Sequence, residues 1–328
     1  MNGEGTRPLA VVTDDRFGDS AIERSVLESA GVELAVARCR SSSEVTAACR
    51  LAEAVLVNLA PMDGAAIDSL ERCKVISRYG VGLDNIDLET AQRRGIAVAN
   101  VRGYCDAEVA EHALGLILAC ARAIPRRDRA VREGSWNLAA TGRRVAGTTL
   151  GILGFGGTGK ALARAALGLG FREILIWSPR ISAPRIEEAL GGPVLVQAAH
   201  ARPAALDKLL SASDWVSIHL PLKPETRGFV GRRELGLMKD DATLVNISRG
   251  AIVDEEALVE ALASSALGGA GLDVFTAEPL PQGSRLRSFP NVVLTNHSAY
   301  ASRESIADLR RRTAENALTA LRAAGIVR

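Results

Sequence analysis

"GILGFGGTGKALARA", residues 151–165, is the stretch that decides the fold. Its Gly154, Gly156 and Gly159 have the spacing G-x-G-x-x-G, directly after a strand-like run and directly before a helical pattern. In that context the first glycine permits a tight turn, the second lets a pyrophosphate approach the backbone, and the third lets helix and strand pack closely. The amides of Gly157 and Thr158 then begin a helix whose positive end favours phosphates. We therefore predict a dinucleotide site; the alternative is a chance match to a tight packing turn.

Short β-rich runs alternate with helical patterns on both sides of this loop. Strand-like runs in the first hundred residues are "LAVVTDD", "VELAVARC", "AVLVNLA", "KVISRYG" and "IAVANV". A second series follows, with "TLGILGF", "EILIWS", "PVLVQ", "WVSIHLPL", "ATLVNIS", "GAGLDVF" and "NVVLTN". A long helix, predicted from Asp106 to about Ala123 and ended by Pro125, separates the series, and an amphipathic helix over 302–324 closes the chain. The alternation predicts an α/β fold of parallel sheets wrapped by helices.

Charge, cysteine content and the apolar segments argue against several classes of protein. Lys and Arg total 40 against 38 Asp and Glu, a net charge of +2, which argues against a nucleic-acid partner. The five cysteines are odd in number and scattered without a C-x-x-C pair, so we predict neither disulfides nor a metal site. We predict instead that the cysteines are reduced thiols in a cytoplasmic protein. "MNGEGTRP" has no apolar core for a signal peptide, and "HALGLILACARA" is too short to span a bilayer. We predict a soluble cytoplasmic protein without a membrane partner.

Polar side chains follow the predicted strands of the second series. Ligands of open α/β sheets bind outside the carboxyl ends of the strands. An arginine can hold a carboxylate in a two-pronged hydrogen bond, and a histidine steadied by an acid can move a proton near neutral pH. We predict that Arg249, an acid and His297 at these strand ends form the catalytic set, with His297 as the proton carrier; a structural salt bridge is the alternative for Arg249. The residues at these strand ends are Ser178, the turn at 219–222, Arg249, Asp273, Glu278 and His297.

Seven stretches make the chain similar to one family. It resembles the D-isomer-specific 2-hydroxyacid dehydrogenases, which include phosphoglycerate, glycerate and glyoxylate enzymes and the C-terminal-binding-protein corepressors. The similarity covers most of the chain from about residue 75 to 300. The stretches are "ISRYGVGLDNID", "RGYCDAEVAEHALGLILACAR", "GILGFGGTGK", "SDWVSIHLPLKPETRGFVG", "ATLVNISRGAIVDEEALVEAL", "GAGLDVFTAEPL" and "NVVLTNHSAY".

The resemblance implies roles for individual residues. It makes Arg249 the substrate-binding arginine, Glu278 the partner acid and His297 the acid/base. It makes Asp273 a partner of the nicotinamide carboxamide. Backbone amides near Val81 and Gly82 would hold the substrate carboxylate, and we include Tyr79 and Gly80 of the same loop as substrate contacts. Within the similar stretches we predict further cofactor contacts at Leu220, Pro221, Thr226, Ile247 and Ser248.

The resemblance also implies an architecture. It predicts two Rossmann-like parallel-sheet domains with a cleft between them, closing about hinges near residues 100 and 298, and a homodimer formed through the nucleotide domains. We expect a flavodoxin-like substrate domain in residues 1–100, completed by the segment 299–328. The dinucleotide-binding domain is expected in residues 101–298.

The cofactor is predicted from "EILIWSPR". NAD-specific relatives end this strand with an acid that accepts the ribose hydroxyls. Ser178 stands at that place, nineteen residues after Gly159, and Arg180 follows two residues later. A serine would not repel a 2′-phosphate and an arginine could pair with it, so we favour NADP. The alternative is NAD, with Ser178 on the ribose and Arg180 in solvent.

We therefore predict an oxidoreductase that transfers a hydride between a nicotinamide cofactor and a D-2-hydroxy or 2-oxo acid. The alternatives are an NAD(H)-sensing corepressor-like binding protein, and formate or phosphite oxidation on the same fold. We expect no long tail and no regulatory domain after residue 328, which favours the enzyme. Arg102, Asn296 and Tyr300 depart from the common family pattern and leave the substrate open. We interpret His112 as structural because nothing nearby supplies a partner, and Trp136 as part of a packing or dimer surface.

Overall fold

The computed structural model describes residues 7–136 and 142–328. The chain divides into two compact units, one formed by the residues up to Tyr104 together with Ser302–Arg328, the other by Cys105–Ala301. Each unit is built on a parallel β-sheet. The predicted α/β fold with two parallel-sheet domains is confirmed.

The first unit is a sheet with the strand order β2-β1-β3-β4-β5. Alternate side chains of its strands enter two separate cores: Val11 and Val55 contribute to one, Ala10 and Leu56 to the other. This period of two, with both faces apolar, explains why the strands appear as nearly continuous apolar runs. The elements are β1 Leu9–Val12, α1 Ala21–Glu28, β2 Glu33–Val36, α2 Ser42–Cys49, β3 Ala54–Val57, α3 Gly64–Asp68, β4 Val75–Arg78, α4 Leu88–Arg93 and β5 Ala97–Asn100.

The second unit is a parallel sheet with the order β12-β11-β10-β9-β6-β7-β8. The strand order reverses at β6, which pairs with β7 on one side and with β9 on the other. Such a reversal opens a crevice at the carboxyl edge of the sheet. The elements are α5 Asp106–Ala121, α6 Ile124–Arg132, β6 Thr149–Leu153, α7 Gly157–Ala166, β7 Glu173–Trp177, α8 Ala183–Leu190, α9 Pro193–Ala198, β8 Ala201–Pro203, α10 Leu206–Ala212, β9 Trp215–Ile218, α11 Arg232–Leu237, β10 Thr243–Asn246, α12 Glu255–Ala263, β11 Gly269–Leu272 and β12 Val292–Leu294.

The last helix, α13 (Arg303–Ala323), belongs to the first unit. Ser302 caps its first turn by accepting a hydrogen bond from the Ser305 amide. The buried guanidinium of Arg310 makes a two-pronged contact with the buried carboxylate of Glu23, and Ser77 donates to the carbonyl of Thr313 at 2.8 Å. The C-terminal helix therefore completes the core that the N-terminal strands and helices of the first unit begin.

Two local predictions are wrong. "PVLVQ" is the helix α9, not a strand, because Pro193 lacks the N–H that a strand needs and suits the first turn of a helix. The edge strand is β8, a few residues later. Pro125 does not end the long helix: α5 stops at Ala121, and Pro125 lies in the first turn of α6.

Other predictions concern absences. No helix of the described residues is long and apolar enough to cross a membrane. Across residues 7–136 and 142–328, no group of three or more His, Cys, Asp or Glu is arranged to hold a metal ion. The five cysteines are free thiols. The prediction that the chain has no signal peptide rests mainly on residues 1–6, which lie outside the described residues.

Candidate active site

Three neighbouring strands of the second unit bring distant parts of the sequence to one edge. β10, β11 and β12 are adjacent and parallel, so their carboxyl ends meet. Arg249 follows the end of β10 by three residues, Asp273 comes directly after β11, and His297 follows β12 by three residues. The sheet therefore gathers the predicted strand-end residues on one side of the unit.

His297 and Glu278 form a direct pair. Nδ1 of His297 lies 2.7 Å from Oε2 of Glu278. The other carboxylate oxygen, Oε1, accepts a hydrogen bond from the Phe275 amide at 3.0 Å, so the acid is fixed in its orientation. With Nδ1 engaged, Nε2 is the ring nitrogen that remains for proton transfer, and the side chain of His297 is 39% exposed. This is the geometry of a general acid/base held by a carboxylate.

The surroundings of Glu278 keep it ionised. Burial raises the pKa of its carboxyl, but the hydrogen bonds from His297 and from the Phe275 amide, with the positive charges of His297 and Arg249, outweigh burial and lower the pKa below its ordinary value. An ionised Glu278 can accept the hydrogen bond that Nδ1 of His297 offers. Arg249 is thus close enough to act on the acid while its own Nη1 donates to the carbonyl of Ser248 at 2.8 Å.

The backbone at His297 is held in an unusual conformation. Its φ of +53° lies in the left-handed region, which non-glycine residues seldom adopt and which costs on the order of 1 kcal/mol or more. Asp273 holds the loop: its carbonyl accepts from the His297 amide at 2.8 Å. Its fully buried carboxylate accepts from the amides of Ser298 and Ala299, each at 2.9 Å, and from the Thr295 hydroxyl at 2.6 Å. We call this arrangement, made by Asp273 with Thr295, Ser298 and Ala299, the Asp273 clamp.

His112 supports the same clamp from α5. Its Nε2 lies 2.9 Å from Oγ1 of Thr295 and 3.5 Å from Oδ1 of Asp273. The expectation that nothing nearby supplies a partner for His112 is therefore wrong, although the structural interpretation of this residue agrees with the geometry. Nothing in the sequence could have linked it to Thr295, because 183 positions separate the two residues.

The glycine loop has the geometry of a dinucleotide site. Gly154 has a φ of +100°, and a Cβ there would meet the His219 carbonyl oxygen at 2.6 Å. Gly159 packs directly on the carbonyl of Gly154, so a side chain would separate helix from strand. Gly156 has open space where its Cβ would stand and precedes α7, whose first turn has no side-chain cap. The residues present therefore fit a pyrophosphate bound by the free amides of that turn.

His219, which follows β9, links the glycine loop to that strand. Its Nδ1 lies 3.0 Å from Oγ1 of Thr158, and its Nε2 lies 2.9 Å from Oγ of Ser217. Burial lowers the pKa of His219 to about 3, so the ring is neutral at working pH. A neutral ring that bridges two hydroxyl groups has a packing role.

The remaining predicted cofactor residues lie at the same edge. Ser178 follows β7, and Arg180 beyond it is exposed. Leu220 is buried and its carbonyl accepts from the hydroxyl of Ser248. Thr226 donates to the carbonyl of Pro221 at 2.7 Å. Ile247 is buried beside Ser248 at the end of β10. Contacts of all these residues with a cofactor remain predictions, as does the contact of Asp273, whose side chain has no exposed surface.

The predicted substrate loop lies in the first unit. The Tyr79 side chain is buried and its hydroxyl donates to Oε1 of Glu23 at 3.1 Å, so only its backbone is left for the predicted contact. Gly80 has a φ of +129°, and the guanidinium of Arg78 rests where its Cβ would be. Val81 is exposed, and Gly82 is partly exposed. The sequence interpretation missed Arg78, although its position at the end of β4, next to the predicted loop, was a signal.

Residues 114–299 match the family model described as "D-isomer specific 2-hydroxyacid dehydrogenase, NAD binding domain". The chain belongs to this family. It is 40% identical over 261 residues to a glyoxylate reductase of Korarchaeum cryptofilum, which covers 78% of this chain and 75% of that protein. It is 40% identical over 242 residues to a hydroxypyruvate reductase of Thermotoga maritima, which covers 73% of this chain and 74% of that protein. A crystal structure of a glyoxylate reductase from Paecilomyes thermophila superposes with a TM-score of 0.84 at 29% identity and covers 97% of this chain and 96% of that chain.

Family membership decides the class of activity. As a 2-hydroxyacid dehydrogenase, the chain is an enzyme that uses a nicotinamide cofactor to transfer a hydride between a 2-hydroxy acid and a 2-oxo acid. The predicted family, enzyme class and reaction are confirmed.

Proposed function

We propose that this dehydrogenase reduces a small 2-oxo acid, with His297 as the acid/base, Glu278 as its partner and Arg249 as the substrate-binding residue. The observation that carries the proposal is the pair between His297 and Glu278 at 2.7 Å, one strand away from Asp273 and two from Arg249. The bound cofactor supplies a hydride to the carbonyl carbon of the substrate.

The residues of the chain perform the other steps. Arg249 binds the carboxylate of the substrate and polarises its carbonyl, because a guanidinium offers two parallel N–H donors. Nε2 of His297 then gives its proton to the carbonyl oxygen. Glu278, ionised because its own pKa is lowered, holds the ring by Nδ1 and stabilises the charge that the imidazole carries before the transfer. In the oxidative direction Nε2 takes the proton back.

The test uses two variants and several 2-oxo acids. We expect wild type to oxidise NADPH or NADH with glyoxylate or hydroxypyruvate, and His297→Ala to lose on the order of a hundredfold or more in kcat. The cofactor Kd should stay unchanged, because the imidazole contacts no part of the phosphate site. His200→Ala, at a histidine just before the amino end of β8 and so away from the carboxyl ends of the strands, is the matched control. Tight cofactor binding without turnover on any 2-oxo acid would instead favour an NAD(H)-sensing binding protein.

A small substrate is part of the proposal. The relatives named above are a glyoxylate reductase and a hydroxypyruvate reductase, whose names give small 2-oxo acids. The position of Tyr300 also favours a small substrate. Its ring meets that of His297 edge-on, with 6.4 Å between the centroids, and fills space beside the proposed acid/base. In the substrate loop, Arg78 adds a positive charge next to Gly80. A kinetic comparison of glyoxylate, hydroxypyruvate, phosphohydroxypyruvate and branched 2-oxo acids tests this part.

We propose NADP(H) as the preferred cofactor. The strand β7 ends at Trp177, and the next position is Ser178, where an acid would repel a 2′-phosphate. The exposed Arg180 is available two residues later to pair with that phosphate. We expect kcat/KM to be higher with NADPH than with NADH, and Arg180→Ala to lower it selectively for NADPH. Arg16→Ala, an exposed arginine of the first unit, controls for loss of one positive charge. A wild-type preference for NADH would refute this proposal.

We propose that the enzyme forms a homodimer through α6 and Trp136. No residue of α6 is buried, although Ile124 and Val131 are apolar, and Trp136 is 87% exposed. Exposed tryptophan and other large apolar side chains within one short segment are typical of an interface. Light scattering after gel filtration should give twice the chain mass of 34.6 kDa, and Trp136→Ser should reduce it. Val194→Ser, at another exposed apolar side chain, is the matched control. A monomeric wild type would contradict the proposal.

We also propose that the enzyme works in the cytoplasm. Its five cysteines are free thiols, and Cys39, Cys49, Cys73 and Cys105 are buried. A reducing compartment suits unpaired thiols. Cell fractionation followed by an activity assay tests the proposal, and recovery of the enzyme outside the cytoplasmic fraction would contradict it.

A further inference from the structure

An acidic side chain lies against the start of the glycine-loop helix. α5 and α7 pack together within the second unit, and Asp106 is the first residue of α5. A Cβ built on Gly157 would overlap the Asp106 carboxylate, meeting Cγ and Oδ1 at 2.7 Å. The carboxylate of Asp106 therefore rests on the first residue of α7, at the amino end of that helix.

The amino end of α7 is where the phosphates of a dinucleotide are expected to bind. The first turn of α7 has free amides and no acidic residue of its own, and Gly156 gives no side-chain cap. The family model that matches the chain is that of an NAD-binding domain, so an anionic ligand belongs at this turn. Asp106 adds a negative charge where the phosphates of that ligand require positive potential.

We propose that Asp106 limits the affinity of the enzyme for its cofactor, because its carboxylate lies at the amino end of α7 and repels the pyrophosphate that binds there. This inference rests on the proposed dinucleotide site at the glycine loop. Its consequence is a cofactor that is held more weakly, and released more readily, than the glycine loop alone would allow.

The chemistry of Asp106 supports this role. None of the described residues forms a hydrogen bond or an ion pair with its carboxylate that would neutralise the charge. Burial, and then the negative charge of Glu108, raise the pKa of the Asp106 carboxyl, so ionising it costs free energy even without a cofactor. A phosphate group brought beside it increases that cost, while an uncharged side chain of the same size removes it.

The experiment measures the dissociation constants of NADPH and NADH by fluorescence titration at low and high salt. Asp106→Asn removes the charge and keeps the shape, and we expect it to bind both cofactors about tenfold more tightly at low ionic strength. The gain should shrink in 0.5 M salt, but only in part, because salt screens a partly buried charge such as that of Asp106 less than an exposed one. Asp106→Glu restores the charge and should bind as weakly as wild type. Glu111→Gln, an exposed acid on the same helix, is the control for net charge and should not tighten binding.

The outcomes separate this inference from the proposed function. If wild type binds neither cofactor, the proposed dinucleotide site is wrong. If wild type binds but Asp106→Asn binds equally or more weakly, with the variant shown to be folded by urea titration, the inference is overturned. A similar gain in Glu111→Gln would also overturn it, because the effect would then be one of overall charge. A purely structural role for Asp106 predicts weaker binding, opposite in sign to the effect expected here.

Discussion

The substitution Asp273→Asn tests whether the Asp273 clamp holds His297, the proposed proton carrier, in place. The carboxylate accepts three hydrogen bonds, from the Thr295 hydroxyl and from the amides of Ser298 and Ala299, and it is fully buried. An asparagine keeps the shape but has one oxygen and one NH₂ group. Whichever way the amide turns, at least one backbone N–H faces a donor.

The magnitude follows from those contacts. An unsatisfied buried donor costs about 1–3 kcal/mol, and hydrogen bonds to a charged acceptor are each worth about 1.5–3 kcal/mol against about 1 kcal/mol for a neutral one. We therefore expect Asp273→Asn to lower the free energy of unfolding by about 2–5 kcal/mol. Relaxation of the loop would also release His297 from its φ of +53°. Because misplacing a catalytic group by about 1 Å can cost a factor of about 100, kcat should fall by that order.

Two measurements together decide the result. Urea titrations give the change in stability, and steady-state kinetics give kcat and the KM of each substrate. Thr295→Val removes one donor to Asp273 and one partner of His112, so it should show a smaller loss in both measurements. If Asp273→Asn changed only the KM of the cofactor and left stability and kcat intact, Asp273 would be a cofactor contact and not a clamp.

Two further predictions concern side chains around the same edge. Arg249→Lys should raise the substrate KM at least tenfold, because a point charge cannot reproduce a two-pronged contact; an unchanged KM would make Arg249 structural. His219→Gln should change the pH dependence of stability. Burial lowers the pKa of His219 to about 3, below the value of about 6.5 in an unfolded chain, so the unfolded state binds the proton first. His219 therefore makes the free energy of unfolding fall as the pH drops below about 6.5, by at most about 1.4 kcal/mol per pH unit. Urea titrations between pH 6.5 and 4 should show that the variant has lost this contribution to the slope. An identical slope in both proteins would contradict this.

Local signals were sufficient for the glycine loop and for the strand ends. Gly154 must be glycine because of its own φ and the nearby His219 carbonyl, and such requirements are visible in a short motif. The position of His297 after "VVL" follows from the rule that polar residues at the carboxyl ends of parallel strands face a ligand. The family resemblance predicts its pairing with Glu278, but the distance of 2.7 Å between the two side chains is known only from the structure.

Contacts between distant segments could not be predicted. His112 and Thr295 meet only because α5 packs beside β11 and β12, and neither residue belongs to a motif that points to the other. The error at α9 has another physical cause: a five-residue apolar run is too short for its periodicity to separate a strand from a helix, and Pro193 was the better guide. The sequence predicts that Asp106 begins a helix, but the approach of its side chain to Gly157 depends on how two helices pack.

The environments of two histidines show how the fold divides roles among identical side chains. His219 is buried between the hydroxyl groups of Ser217 and Thr158, which can satisfy a neutral ring but offer no charge, so the proton is lost well below neutral pH. His297 is partly exposed beside Glu278, whose carboxylate holds Nδ1 at 2.7 Å and leaves Nε2 as the remaining ring nitrogen. Both ring nitrogens of His219 are instead engaged by hydroxyl groups. Only the arrangement at His297 suits the acid/base role that we propose for it.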